Sequence, residues 1–334
     1  MKYSLKKKVI VYLLLVCLTL ITLSACGVTG RETDNRLKMH VAMIAKSTTS
    51  AYWKTTFAGA KAAGAEYNLE LSIEGPENEE DYETQNRMIY AAIENGSDAI
   101  VLSAVDYNAN AEAINDAVAA GVKVVVIDSD VNSDLVSCRI STDNYKAGKM
   151  VGEAVLSGKE EKKQVGIINF DEHSENGQQR EKGFRDYVEG NEQVTIVSST
   201  NVNSTIEEAK EATIKMLTDN TEINIIVTFN EWTSLGVGYA VQELDVAEEV
   251  RVVAFDSNVV SVGMLETGEV DALVVQNPYA MGYLGVEYAW MLINDEKLKD
   301  TTIDTTTTLI TKENMYEPEN QKVLFSFDYI KNHT

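Results

Sequence analysis

Short apolar runs, each followed by an amphipathic segment, recur from Met39 almost to the end of the chain, and this alternation constrains the fold more than any other feature. The runs are Val41–Ala45, Leu69–Ile73, Ala99–Ser103, Val122–Ile127, Val165–Phe170, Val194–Ser198, Ile223–Phe229, Val250–Phe255 and Ala272–Val275. They are rich in Val and Ile and mostly apolar on both faces, as parallel strands covered by helices on both sides must be. Between them, Trp53, Phe57, Ala60, Gly64 and Tyr67 share one helical face, as do Ala113, Ala117 and Ala120, with Gly121 placed to end the helix. Further stripes run through Ala147, Met150, Val151, Ala154 and Val155, ended by Gly158, and through Phe184, Tyr187 and Val188 before Gly190. Such alternation predicts an α/β protein with doubly wound parallel sheets. Nine strands would make a wide single sheet, so two smaller sheets are expected. The chain holds only 3 prolines, too few for a Pro-rich linker. Two lobes joined by crossing strands therefore fit better than two domains on a flexible tether.

The N-terminal residues read as an export signal. Lys2, Lys6, Lys7 and Lys8 precede an apolar run from Val9 to Thr22, which is short for a membrane span and suits a signal-peptide core. It ends in Leu23-Ser24-Ala25-Cys26, small residues before a cysteine, which resembles a bacterial lipobox. The expectation is a signal peptide over 1–25, a lipid on Cys26, and a polar tether over 26–37. A plain secretory signal with an incidental Cys26 is the alternative. Of the 3 cysteines, Cys17 leaves with the signal and Cys26 is acylated, so Cys138 stands alone as a small buried hydrophobe and no internal disulfide forms.

The net charge of −23 becomes more negative once the lysine-rich leader is removed. That argues against nucleic acid, which needs clustered Lys and Arg. It also argues against electrostatic adhesion to anionic lipid, so membrane attachment has to be covalent; a diacylglycerol on Cys26 supplies the two chains that stable anchoring needs.

In open α/β sheets, ligands bind beyond the carboxyl ends of the strands. The residues found there are Ser47 to Trp53, Ser103 to Asp106, Asp128-Ser129-Asp130, Asp171-Glu172-His173 with Arg180 beyond, Asn230-Glu231-Trp232, Asp256-Ser257-Asn258 and Gln276-Asn277-Pro278. Asp, Asn, Gln and Arg supply donors and acceptors in several directions, and Tyr52 and Trp53 can cover the C–H face of a sugar ring. That chemistry suits a polyhydroxylated ligand. The 3 histidines show no metal-ligand spacing, and no nucleophile elbow, P-loop or dinucleotide-binding turn is present. Asp128 and Asp130, two apart at a strand end, would face opposite ways, which argues against a hydrolytic carboxylate pair. The run Glu74–Glu83 reads as a solvated acidic face, and Trp290, on an apolar stripe, as core.

Several short motifs, weak singly but specific in order, carry a family resemblance. They are Tyr52-Trp53 opening the first helix, Asn95-Gly96-Ser97-Asp98-Ala99-Ile100, Ala120-Gly121-Val122-Lys123 running to Asp128, Ser141-Thr142-Asp143-Asn144-Tyr145-Lys146-Ala147-Gly148, Arg180-Glu181-Lys182-Gly183-Phe184, Val253-Ala254-Phe255-Asp256 and Gln276-Asn277-Pro278. With them the chain resembles a type I periplasmic binding protein of the ribose/galactose-binding family. The resemblance implies two Rossmann-like three-layer α/β/α lobes with parallel sheets joined by a hinge. One lobe would span 39–142 plus 277–304 and the other 143–276 plus 305–330. It further implies that Tyr52 and Trp53 stack on a sugar, and that Asp128, Arg180, Asn230, Asp256 and Gln276 bond its hydroxyls. Ser50 stands where the family often has Asn, Ser129 replaces an Arg that often follows the aspartate, and Trp232 sits where a smaller or acidic residue is common; Ser50 and Trp232 join the expected ligand set. The implied role is an extracellular, non-enzymatic binding protein, monomeric and without a cofactor. It would close on a sugar or related polyol and deliver it to an ABC permease, from the outer face of the cell membrane or its periplasmic side. A subunit presenting ligand to a membrane histidine kinase or chemoreceptor is the alternative, and a lipid-anchored hydrolase a more distant one.

Overall fold

The computed structural model describes residues 38–325. The expected signal peptide, Cys26, the tether and residues 326–330 lie outside them. The described residues form two six-stranded sheets, ordered β11-β5-β4-β3-β1-β2 and β12-β10-β9-β8-β6-β7. The first holds β1 (His40–Ile44), β2 (Glu70–Glu74), β3 (Ala99–Leu102), β4 (Lys123–Ile127), β5 (Cys138–Thr142) and β11 (Thr302–Thr305). The second holds β6 (Lys163–Phe170), β7 (Val194–Val202), β8 (Ile225–Thr228), β9 (Arg251–Phe255), β10 (Ala272–Val275) and β12 (Thr308–Thr311). Every strand pairing is parallel except β10 with β12. Written from the edge inward, β2-β1-β3-β4-β5 and β7-β6-β8-β9-β10 are the same winding, so the two lobes are topological copies.

The helices are α1 (Ala51–Glu66), α2 (Tyr82–Glu94), α3 (Ala111–Ala119), α4 (Asn144–Leu156), α5 (Glu175–Val188), α6 (Ile206–Asp219), α7 (Glu231–Leu244), α8 (Val259–Thr267), α9 (Pro278–Ile293) and α10 (Pro318–Leu324). The period-2 geometry of a strand sends alternate side chains to opposite faces. In β1, Val41 and Met43 join one core layer, while Ala42 and Ile44 join the other. Central strands β3, β8 and β10 are buried throughout, which explains their unbroken apolar sequence.

Two helix pairs are locked by glycines. At the crossing of α1 and α9, a β-carbon on Gly59 would lie 2.0 Å from the Tyr279 carbonyl oxygen, and one on Gly282 would lie 1.9 Å from that of Thr56. At the crossing of α4 and α5, a β-carbon on Gly148 would lie 1.9 Å from the Arg180 carbonyl oxygen, and one on Gly183 would lie 2.0 Å from that of Tyr145. The cleft-facing helices α1 and α5 are thereby fixed to their lobes.

The chain passes between the sheets three times: from β5 into α4, from β10 into α9, and from β11 to β12. The strands β5, β11 and β12 were not among the nine expected. β5 alternates buried and half-buried positions and carries Arg139 and Ser141, and the last two are Thr-rich segments at sheet edges. None is an apolar run, since none is covered on both faces along its length. Asp143 caps α4 through the Lys146 amide, at 2.9 Å. Cys138 is fully buried, and burial pushes its thiol up to about 11. No helix among the described residues is long and apolar enough to cross a membrane.

Candidate ligand-binding site

The carboxyl ends of both sheets face one cavity of about 330 Å³, lined by fourteen residues from both lobes. All nine expected ligand residues are among them: Ser50, Tyr52, Trp53, Asp128, Arg180, Asn230, Trp232, Asp256 and Gln276. Strand ends supply Asp128 (after β4), Asp256 (after β9) and Gln276 (after β10); helix starts supply Ser50 to Trp53, Asn230 and Trp232, and the second turn of α5 supplies Arg180.

Asp128 and Asp256 occupy the same place in the two lobes, and both adopt positive φ, 58° and 66°. Asp tolerates this left-handed conformation better than most residues. Asp128 accepts from the Tyr52 hydroxyl at 2.9 Å, from Ser103 at 2.9 Å and from Asn176 of the other lobe at 3.3 Å. Asp256 accepts from the Gln276 amide nitrogen at 2.7 Å. Burial lifts its carboxyl from 3.8 to about 7, against the lowering effect of Arg180 and Gln276. Burial and the nearby Asp128 carboxylate raise the Tyr52 hydroxyl well above its ordinary range.

Arg180 is 1 % exposed and acts as the spine of the site. Its guanidinium donates to Asn144 Oδ1 at 2.9 Å, to the Phe229 carbonyl at 2.8 Å and to Gln276 Oε1 at 2.7 Å, and it lies 4.3 Å over the Phe255 ring. Thr142, at the end of β5, also donates to Gln276 Oε1 at 2.8 Å. With its oxygen held by two donors, the Gln276 amide has to turn its nitrogen to Asp256. One guanidinium thus orients the acceptor on the cavity wall.

Ser50 and Asn230 have a second duty. Ser50 caps α1 through the Trp53 amide at 3.2 Å. Asn230 caps α7 through the Thr233 amide at 3.0 Å and donates to Ser204 at 2.7 Å. Trp53 stacks on Phe57, meets Tyr52 edge-on, and donates its indole N–H to Glu79 at 2.8 Å. Trp232 is half-buried at the wall. Trp290 lies away from the cavity, half-buried, stacked on Tyr67 and packed against the core layer of the first sheet.

Five cavity residues were missed from sequence: Lys46, Glu79, Phe170, Asn176 and Glu231. Lys46 and Phe170 stand at the ends of β1 and β6, so strand-end position was a usable signal. Glu231 sits between two residues that were singled out. For Asn176 only the start of α5 points to it.

Glu79 corrects the reading of the acidic run as a solvated face. It is 8 % exposed, and its second oxygen accepts from Ser204 of the other lobe at 3.0 Å. Its neighbour Glu80 accepts from the Ser204 amide at 2.6 Å, and burial raises its carboxyl. Lys46 likewise reaches across to Ser174 at 2.6 Å. The lobes are therefore closed on one another by side chains of the protein itself. No cluster of metal-ligating side chains exists among the described residues.

Comparison with known proteins agrees with this architecture. The chain is 28% identical to the D-ribose/D-allose-binding protein of Pseudomonas aeruginosa over 88% of its own length and 97% of that protein. A carbohydrate transporter solute binding protein from Agrobacterium radiobacter, solved with D-arabinose, is 28% identical, with a TM-score of 0.84 over 86% of this chain and 99% of that one. An ABC transporter solute binding protein from Agrobacterium vitis, solved with D-fucose, is 29% identical, with a TM-score of 0.82 over 86% of this chain and 100% of that one. A model of the periplasmic binding protein domain matches residues 41–297, and the chain belongs to that family.

Proposed function

We propose that this chain binds a sugar or related small polyol in the cavity between its lobes and delivers it to an ABC-type import permease. The observation that carries the reading is the convergence of Asp128, Arg180, Asp256 and Gln276, from separate elements of two lobes, on one interlobe cavity with aromatic walls. Charged hydrogen-bonding groups held in fixed directions suit hydroxyls, and aromatic rings suit the C–H faces of a sugar. The relatives solved with D-arabinose and D-fucose support this ligand class. Of the nine lining residues expected from sequence, Asp128, Asp256 and Gln276 are assigned to ligand hydroxyls and Tyr52, Trp53 and Trp232 to the ring faces. Ser50, Asn230 and Arg180 hold the wall in place. The role is capture by closure about the three interlobe crossings, without chemical turnover. The proposed lobes are 39–142 plus 277–304 and 143–276 plus 305–330.

A thermal-shift screen over pentoses, hexoses, deoxyhexoses and polyols tests the reading. A ligand that binds only the folded state raises stability by RT ln(1 + [L]/Kd), about 4 kcal/mol at a thousandfold excess over Kd. A panel in which amino acids or peptides stabilise the protein and no sugar does would overturn it.

The proposed location is the outer face of the cell membrane, with the chain held as a monomer by lipid on Cys26. Leu23-Ser24-Ala25-Cys26 behind a basic, apolar leader supports this. Cys26→Ala is expected to abolish lipidation and release the protein from the membrane fraction; mass spectrometry of a wild-type N-terminus without acyl groups would refute the anchor.

A further inference from the structure

The wall of the cavity contains one ready-made anion receptor, and the protein fills it itself. Helix α1 begins at the cavity, where its first amides have no intrahelical partner and the positive end of the helix dipole attracts negative charge. Glu231, from the start of α7 in the opposite lobe, occupies that position. Its carboxylate accepts from the Ala51 amide at 3.2 Å and the Tyr52 amide at 2.9 Å. Asn258 donates to the same carboxylate at 2.9 Å and tethers it from behind. Glu231 is 6 % exposed and lines the same cavity as Asp128 and Asp256.

The cationic groups of the cavity are already engaged by the protein. All three hydrogen bonds of the Arg180 guanidinium go to Asn144, Phe229 and Gln276. The Lys46 ammonium donates to Ser174 and lies 5.3 Å over the Phe170 ring. Against these two cations the lining sets four carboxyl groups, those of Glu79, Asp128, Glu231 and Asp256. An anionic substituent on a ligand would meet cations already tied into the protein's own hydrogen bonds, and the amides of α1 that could receive it are covered by a like charge.

From this arrangement we infer that Glu231 sets the charge selectivity of the cavity: it admits uncharged polyhydroxylated ligands and excludes their phosphorylated or carboxylated counterparts. The inference rests on the reading of this cavity as a sugar site. Its central element, a helix start closed to anions by Glu231, can nevertheless be tested without any sugar.

The test uses the wild-type protein, Glu231→Gln and Glu231→Ala. Glu231→Gln keeps the shape and one acceptor oxygen while removing the charge, and Glu231→Ala uncovers the amides of α1. Melting is followed in inorganic phosphate against chloride at matched ionic strength, so that general salting effects cancel between variants. Phosphate should raise the melting temperature of Glu231→Ala by several degrees more than that of wild type, with Glu231→Gln in between. An equal phosphate response in all three overturns the inference. Calorimetry then compares D-ribose with ribose 5-phosphate and D-galactose with D-galacturonate. For a pair whose neutral member binds, the preference for the neutral member should fall at least about tenfold in Glu231→Gln, the scale of removing one like charge from a buried wall; an unchanged preference overturns the inference. If no neutral sugar binds wild type, the sugar reading fails while the phosphate result still reports on Glu231. Should both substitutions prevent folding, Asn258→Ala, which loosens the tether alone, is expected to give a smaller phosphate response of the same sign, and no response in it overturns the inference.

Discussion

Asp256 makes the affinity of this cavity depend on pH in a direction the structure fixes. Its carboxyl titrates near 7 rather than 3.8 because burial opposes the charged form more than Arg180 and Gln276 favour it, and Glu231 and Asp128 add like charge. Between those two values the folded protein without ligand holds a proton that the unfolded chain has released. This contribution to stability is present in full below about pH 4 and is lost as pH rises through about 7. A ligand hydroxyl that donates to Asp256 favours the ionised form, so affinity runs the opposite way, rising with pH and levelling off above about 7. One pH unit below the folded pKa only about a tenth of the carboxyls are ionised. Binding at about pH 6 should then be roughly tenfold weaker than at about pH 8 and should release close to one proton. The assay is calorimetry at both pH values in two buffers of different ionisation enthalpy. Asp256→Asn, which keeps an acceptor for the Gln276 amide, should bind weakly and without that slope. The control matters because Glu175, half-buried, is also lifted to about 7. If wild-type affinity is flat across this range, or if Asp256→Asn retains the tenfold change, Asp256 is not the acceptor and the reasoning fails.

Other substitutions probe the frame of the site. Arg180→Ala leaves Asn144, the Phe229 carbonyl and Gln276 without their buried donor; a loss of about 3 kcal/mol or more in urea unfolding is expected, and a loss under about 1 kcal/mol would contradict the spine role. Gly148→Ala drives a methyl to 1.9 Å from the Arg180 carbonyl, whereas Gly263→Ala, in α8, meets nothing within 4 Å. The first should destabilise by about 2–3 kcal/mol and the second stabilise by up to about 1 kcal/mol in thermal melts, so equal effects would refute the close helix crossing. Ligand binding should change tryptophan emission through Trp232, half-buried on the cavity wall, and not through Trp290, which stacks on Tyr67 at 4.6 Å. Titrations of Trp232→Phe and Trp290→Phe check this, and a signal lost only in the latter would place the ligand elsewhere.

What could be read from sequence follows from what is local. The central strands announced themselves because burial on both faces leaves an unbroken apolar run, and the rule that ligands sit beyond strand ends led directly to Asp128, Asp256 and Gln276. Arg180 was found through the motif it opens, although its network with Asn144, Phe229 and Gln276 joins residues far apart in sequence and could not be foreseen. The same limit hid Glu79 and Glu231. In a run such as Glu74–Glu83 nothing local separates an exposed acid from one buried against the other lobe; the difference lies in Ser204, more than a hundred positions away. The edge strands β11 and β12 escaped because Thr-rich segments pair in a sheet without the apolar pattern of a covered strand.

The third passage of the chain between the sheets has a consequence for how the protein is made. The second sheet, apart from its edge strand β12, and its covering helices α4 to α8 come from the continuous stretch 144–275. The first sheet does not have that independence. Its helix α9, which covers β3 and β4 and locks onto α1 through Gly59 and Gly282, is Pro278–Ile293, and its last strand begins at Thr302. The segment that emerges first during synthesis is therefore the last to be completed. Until α9 arrives with about the final sixth of the chain, only α1 covers that face of the sheet containing β1, and the part over β3 and β4, with Val101 and Val125, stays open to water. Contacts of such long sequence separation form slowly. Completion of the leading lobe is thereby deferred until α9 and β11 have been made, after the whole of the stretch 144–275.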